Sequence, residues 1–334
     1  MACPLLIVGE AYGEQEEILG RPFVGAAGQL LTSQLEAAGL NRKEIPITNC
    51  FNICPEQNNI DEFFRKDKSA GLPARDRGKY VLPELRHHID KLHDFIRSHQ
   101  PNLILALGVT ALWGTTLLNC PKIGSLRGVV MMSEPLGCKV LATYHPAAVL
   151  RQWQHNSIVI ADMIKARRES QTKDLVMPKR ELWLAPTLQD LETFYTQHIE
   201  QAPSLGFDIE TSRGQITCIS FAPNANASIC VPFVDLRNPD YSYWPTVKEE
   251  VRALAWCKEL LEGPKTKIAQ NGLYDVQWIW KKWGIRVNNF TEDTMLLHHA
   301  MYPEMPKSLG FLGSIYTHEK AWKLLGSAVK REDT

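Results

Sequence analysis

Residues 9–31 read GEAYGEQEEILGRPFVGAAGQLL, and this stretch decides the fold of the first half. It follows the short apolar run Leu5–Val8, which reads as a buried strand ended by Gly9. Gly13, Gly20, Gly25 and Gly28 come next, and the spacing then predicts a helix over 29–38, stopped by Gly39. Glycines at the carboxyl end of a strand let backbone amides approach a ligand. The start of a following helix offers N–H groups suited to a phosphate.

Working outward, 45–48, 103–107 and 140–143 read as further strands. Residues 83–99 form an amphipathic helix through Leu85, Ile89, Leu92 and Ile96. Helices also begin at Thr110 and span 155–168. Strands alternating with helices predict a three-layer α/β/α domain on a parallel sheet over residues 1–170. Residues 55–80, polar and charged, are expected to be a long surface loop. A polar linker follows at 171–181. Residues 182–334 form a second domain, with strands at 182–185, 204–210, 215–222 and 267–269 and helices at 188–201, 246–262, 273–283 and 293–300. Tightly joined strands and then helices predict a mixed α/β sheet.

The chain has 334 residues, 37 basic and 37 acidic, so its net charge is zero. Residues 1–170 hold 19 basic and 17 acidic side chains, and residues 171–334 hold 18 and 20. Neither half is a basic nucleic-acid module by charge, so DNA binding has to rest on local sites. With 44% hydrophobic and 22% charged residues the chain is an ordinary globular protein, not a disordered or fibrous one. The eight cysteines include no C-x-x-C pair and are expected to be reduced core thiols of a cytoplasmic protein. No signal peptide is visible. No run approaches the roughly 20 apolar residues that span a bilayer, so no membrane partner is expected.

The first half resembles the family 4 uracil-DNA glycosylases over residues 4–168. The resemblance rests on Gly9-Glu10-Ala11-Tyr12-Gly13, Gly20-Arg21-Pro22-Phe23-Val24-Gly25, Ile47-Thr48-Asn49 and His145-Pro146-Ala147 in matching order. It implies flipping of uracil out of DNA and hydrolysis of its N-glycosidic bond. Phe23 would stack on the base, Asn49 would read its O4 and N3 edge, and Ala11 and Tyr12 would border it. His145 would donate to O2 as charge develops there. Glu10 and Glu16 would position or activate the water. Gly25, Gly28 and Arg151 would contact DNA. Tyr12 replaces the family's turn proline and is expected to wall off the base C5 position against thymine. The family's 4Fe-4S cluster needs four converging cysteines. Their first pair has no counterpart here and Cys54 is shifted, so no cluster is expected. The basic residues Arg65, Lys66, Lys68, Arg75, Arg77 and Lys79 are read first as a solvated face and second as DNA backbone contacts. With no histidine between 55 and 80, covalent trapping of the sugar is not expected.

In the second half, residues 205–211 read LGFDIET. Alternation places Asp208 and Glu210 on one strand face, and two close carboxylates are costly unless a cation lies between them. Asn271 and Asp275 follow, then Asp293. The order resembles the ribonuclease H-like 3′–5′ exonuclease domain of phage-type family A DNA polymerases. That implies Asp208, Glu210 and Asp275 as ligands for two Mg²⁺ ions. The third exonuclease motif, Y-x-x-x-D, is missing: Tyr316 is followed four residues later by Lys320. Asp333 is the remaining substitute. The domain is therefore expected to be incomplete, with a polymerase portion supplied in cis or in trans. The main expectation is a uracil-DNA glycosylase acting in a bacterial or phage-infected cytoplasm. The alternatives are a working exonuclease behind a degenerate glycosylase, or a non-catalytic DNA-binding module that recruits a polymerase.

Overall fold

The computed structural model describes residues 4–317. Two compact units divide them: residues 4–177 with 304–317, and residues 178–303.

In chain order the first unit contains β1 (Leu5–Ala11), α1 (Glu14–Leu19), α2 (Ala26–Ala37), β2 (Ile47–Phe51), β3 (Phe64–Arg65), β4 (Tyr80–Val81), α3 (Arg86–His99), β5 (Leu103–Leu107), α4 (Val109–Thr116), α5 (Ile123–Leu126), β6 (Val130–Ser133), β7 (Cys138–Thr143), α6 (Pro146–Arg151) and α7 (Asn156–Glu169). The main sheet has the order β2-β1-β5-β7-β6, parallel except for β6. Alternation along the strands divides the core in two. Leu6, Val8, Ile104 and Ala106 face α3 and α4, with Trp113 among them. Leu5, Ile7, Leu103 and Leu105 face the other way, toward Leu31, Leu35, Val159 and Met163 of α2 and α7. Both faces are dry, so the strands read as continuous apolar runs. This is the expected three-layer α/β/α arrangement.

Residues 55–80 depart from the surface-loop expectation. They carry two 3₁₀ turns and pair β3 with β4, and they bury Phe63, Phe64, Ala70, Ala74 and Arg75. The aromatic pair supplies enough apolar area to dock the segment on the core through Phe51 and Trp113. Short elements were also unforeseen, among them α1 within the glycine stretch, α5, α6 and the antiparallel edge strand β6.

The second unit contains β8 (Glu181–Trp183), α8 (Leu188–Phe194, continued by a π-turn through Ile199), β9 (Ser204–Ser212), β10 (Gln215–Ala222), β11 (Ala227–Pro232), α9 (Val247–Glu262), β12 (Thr266–Ala269), α10 (Leu273–Trp283), β13 (Phe290–Asp293) and α11 (Thr294–Met301). Its sheet order is β13-β12-β9-β10-β11-β8, with β10 antiparallel to both β9 and β11 and every other neighbouring pair parallel. The mixed α/β sheet agrees with the expectation. Leu205, Phe207 and Ile209 point into one core with Ile219, Phe221 and Val231, which leaves Asp208 and Glu210 together on the opposite face.

Helix α12 (Leu309–Tyr316) belongs to the first unit, although the sequence reading carried the second domain through 334. Its Phe311 and Ser314 meet Arg127, and its carbonyls take up Lys165. Cys3 and residues 318–334, with Lys320 and Asp333, lie outside the described residues. Among the described residues no helix is long and apolar enough to cross a membrane.

Candidate active site

The carboxyl ends of β1, β5 and β7 open on a cleft of ≈ 620 Å³. Its walls include Glu10 and Ala11 from β1, Gly13, Glu14 and Glu16 from the turn and α1, Gly25 and Ala26 at the start of α2, Gly108 after β5, and His145 and Arg151 around α6. This is where open α/β sheets place ligands.

Behind that wall, two of the expected base-reading residues, Asn49 and Phe23, converge on Gly9. A Cβ built there would lie 2.2 Å from Asn49 Oδ1 and 2.6 Å from the Phe23 ring. The Phe23 ring also stacks on His145, with centroids 5.6 Å apart and planes at 30°. Asn49 is only 2% exposed, and neither its Oδ1 nor its Nδ2 finds a hydrogen-bond partner among the described residues. Such a buried orphan amide costs on the order of 1–3 kcal/mol, which its fold alone does not recover. Asn49 also borders a separate cavity of ≈ 320 Å³ with Thr48, Asn52, His88 and Lys91.

His145 caps α6: its Nδ1 accepts the Ala147 N–H at 3.2 Å. With Nδ1 an acceptor, the neutral ring carries its proton on Nε2. Burial pushes the His145 pKa down, with Glu10 opposing and Arg151 adding to the shift. The site therefore holds a neutral donor.

The two glutamates separate by role. Glu10 lines the cleft and accepts the Thr110 hydroxyl. Glu16 spends its carboxylate on the Gly13 N–H at 3.1 Å, capping α1.

Arg42 was missed by sequence reasoning. Its Nη2 donates to Phe23 O at 2.7 Å, and its Nη1 donates to Gly28 O at 2.7 Å and to Thr32 Oγ1 at 2.6 Å. Phe23 needs such a clamp because it sits at φ +56°, a left-handed conformation unfavourable to an aromatic residue. The positive charge stands at a turn with no sequence signature, so no motif announces it. Gly28, expected to contact DNA, is buried, and a Cβ there would fall 1.8 Å from Phe23 O. Its part is close packing. Gly25 and Arg151 do line the cleft. Tyr12 is half-buried beside it and is not among the lining residues. Of the basic residues at 65–79, Arg75 is buried against Phe64 and paired with Asp61, Lys79 shares Asp61, and Arg65 pairs with Glu62.

Residues 2–169 match the family model described as the uracil DNA glycosylase superfamily. The chain belongs to the uracil-DNA glycosylase superfamily. Among curated proteins it is similar to the type-4 uracil-DNA glycosylase of Pyrobaculum aerophilum, 36% identical over 157 residues, which are 46% of this chain and 70% of that protein. It is 35% identical to the Archaeoglobus fulgidus type-4 enzyme over 151 residues (44% of this chain, 66% of that one) and 31% identical to that of Saccharolobus solfataricus over 179 residues (52% and 74%). Among solved structures, the EXD2 exonuclease domain soaked in Mg and dGMP overlaps 46% of this chain and 86% of its own at 11% identity, with a TM-score of 0.28. At that score the likeness assigns nothing.

The glycosylase unit's described cysteines do not fit the iron–sulfur cluster that its family implies. Cys50 is buried under α4, its thiol 2.6 Å from where a Gly114 Cβ would stand and donating to Thr110 O. Burial, then Glu10, pushes its pKa up. Cys54 turns to Pro55 O. Among the described residues no group of three or more His, Cys, Asp or Glu is placed to hold a metal ion.

In the second unit, the acids expected to bind Mg²⁺ are Asp208, Glu210 and Asp275. Asp275 accepts the Ile209 N–H at 3.0 Å. Burial first, with Asp208 and Asp293 adding, pushes its pKa up to about 6. Burial and Glu210 likewise raise Asp208. Asp293 is a structural cap: its carboxylate takes the N–H groups of Asn271, Gly272, Met295 and Leu296. The acids lie near one another, and backbone amides orient Asp275 and Asp293.

Proposed function

We propose that the first unit hydrolyses the N-glycosidic bond of uracil in DNA. The observation that carries this reading is the buried, unpartnered Asn49 amide packed beside Phe23 over Gly9. An amide carries both a donor and an acceptor, which matches the O4 and N3–H edge of uracil. The amino group of cytosine reverses the first of these. Uracil enters from the cleft at Glu10 and Ala11, stacks on Phe23 and turns its edge to Asn49. His145 Nε2–H then donates to O2, stabilising the uracil anion as the bond to the sugar breaks. Glu10, fixed by Thr110, orients water toward C1′ of the departing sugar. Gly25, Ala26 and Arg151 meet the flanking phosphates. No step draws on a metal.

The test is incubation with uracil-containing single-stranded DNA in EDTA. Abasic sites are expected, together with free uracil. Asn49→Ala and His145→Ala should each reduce release at least a hundredfold. Unchanged release in both variants would overturn the assignment.

The second unit reads as an exonuclease-like module of the family A polymerase type, working in a bacterial or phage-infected cytoplasm. What supports this is the order Asp208, Glu210, Asn271, Asp275 on a mixed sheet. The Y-x-x-x-D motif has no match at Tyr316, where Lys320 stands four residues on, so Mg²⁺-dependent shortening of DNA 3′ ends is expected only when a polymerase portion, in cis or in trans, supplies the remaining donors. Shortening by this chain alone would refute that.

A further inference from the structure

The described tail of the chain is wired to the turn that carries His145. Arg127 and Asp162 form a buried ion pair at 2.8 Å, 3% and 0% exposed. The other Asp162 oxygen accepts Thr143 Oγ1 at 2.7 Å. Thr143 ends β7, and Tyr144 and His145 follow it directly. Tyr144 stacks on His155 at the start of α7, with centroids 4.3 Å apart. Helix α7 therefore grips the His145 turn at both points.

The tail grips the same helix. Arg127 Nη2 donates to Ser314 Oγ, and its guanidinium lies 4.6 Å from the centre of the Phe311 ring. Lys165, one turn beyond Asp162 on α7, donates to Ser314 O at 2.8 Å, Thr317 O at 2.7 Å and Gly128 O at 2.7 Å. Gly128 leaves no slack, since a Cβ there would stand 2.8 Å from Asp162 Oδ1 and 3.1 Å from Ser314 O. Two buried cations thus have their donors filled by carbonyl and hydroxyl groups of residues 314–317. Without them, Arg127 would lose its Ser314 acceptor and Lys165 two of its three carbonyl acceptors, which would loosen the buried pair that orients Asp162.

We propose that residues 304–317 are a positioning element for His145, acting through Arg127, Asp162 and Thr143. This rests on the glycosylase reading for the role of His145. Docked, the tail holds α7 and the end of β7 in register, so that α6 starts with His145 Nδ1 on the Ala147 N–H and Nε2–H toward the cleft. None of these residues touches the base. Their effect is on the fraction of molecules that present the donor correctly.

The test uses the full chain with Thr143→Val, Thr143→Ser and the double variant Phe311→Ala/Ser314→Ala. Two readouts are taken: kcat and KM on uracil-containing single-stranded DNA, and the ¹⁵N signals of the His145 ring, assigned with His145→Gln. Thr143→Val removes one hydrogen bond without changing shape. It should lower kcat about five- to tenfold at unchanged KM and broaden or shift the ring signals away from the Nε2–H tautomer. Thr143→Ser should restore both. The double variant should move both in the same direction, and it remains informative if Thr143→Val fails to fold. Unchanged ring signals in the double variant would overturn the proposal, as would Thr143→Ser matching Thr143→Val. If the wild type releases no uracil, the glycosylase reading fails by itself, and the ring signals still decide whether the tail positions His145.

Discussion

Gly9→Ala tests the base-reading geometry with a single methyl group. Gly9 is buried and has a negative φ, so alanine adds no backbone strain there. The added Cβ would fall 2.2 Å from Asn49 Oδ1 and 2.6 Å from two Phe23 ring atoms. Carbon contacts normally settle near 3.5–4.0 Å, so both groups must retreat by roughly 1 Å. The pleated ladder cannot absorb this, because Gly9 and Asn49 are paired strand neighbours of β1 and β2. Overpacking of this kind costs about 1–3 kcal/mol of stability. A misplacement of about 1 Å at a reacting centre costs on the order of 10²-fold in rate. Gly13→Ala is the matched control: it lies in the same turn, and its Cβ would meet nothing within 4 Å. Uracil release and thermal melting are measured for both. The expected result is a hundredfold slower Gly9→Ala enzyme that still melts cooperatively, beside a nearly normal Gly13→Ala. Release by Gly9→Ala within threefold of wild type would refute the reasoning, because the base would then be read elsewhere.

Arg42→Ala should cut kcat/KM at least tenfold, since it frees the carbonyls of Phe23 and Gly28 together. Arg42→Lys should recover little, because an ammonium lacks the planar fork that serves both; full recovery in steady-state kinetics would count against the clamp. The His145 pKa is lowered in the fold, so the folded protein binds fewer protons than the unfolded chain below the ordinary value of 6.5. Its contribution to stability is present above that pH and lost as pH falls through it. Denaturant melts of wild type minus His145→Gln should therefore show a difference that shrinks from pH 7 to pH 5, and a flat difference would contradict the cap geometry. The Asp275 pKa is raised to about 6 from 3.8, so the folded state holds the extra proton and stability falls as pH rises through that window. Asp275→Asn should stabilise the second unit by on the order of 2 kcal/mol at pH 7 and very little at pH 4, as read from its own melting transition. Equal effects at both pH values would be the wrong sign of evidence for burial.

Much of the architecture was legible because its signals are local. Leu103–Leu107 and Leu273–Trp283 begin and end where apolar periodicity and flanking glycine or proline put them. Asp208 and Glu210 share a face because strand alternation leaves no other choice. The motif residues at the β1, β2 and β7 ends came together as expected, since parallel strands deliver their carboxyl ends to one edge. The misses have a common cause in packing that no local pattern encodes. The 55–80 segment looked solvated because charges outnumber its aromatics, but Phe63 and Phe64 reach the core and carry Arg75 inside with them. Strand β6 and strand β13 are four residues each, too short for a period to show. Helix α12 looked continuous with the second half, and only Arg127 and Lys165 show where it docks.

The sequence by itself determined that the chain is two α/β units, that the first carries a glycine-rich turn, an asparagine and a histidine at the strand ends, and that the second carries ordered carboxylates. These follow from period, turn residues and spacing, which act within a few residues of chain. Tertiary structure alone decided that Glu10 is held by Thr110, that Gly28 packs while Gly25 lines the cleft, that Arg42 holds Phe23 in its unfavourable turn, and that Asp275 answers to the Ile209 amide. Most of those depend on groups far apart in sequence competing for the same donor, acceptor or volume, and that competition is settled only when the chain is folded.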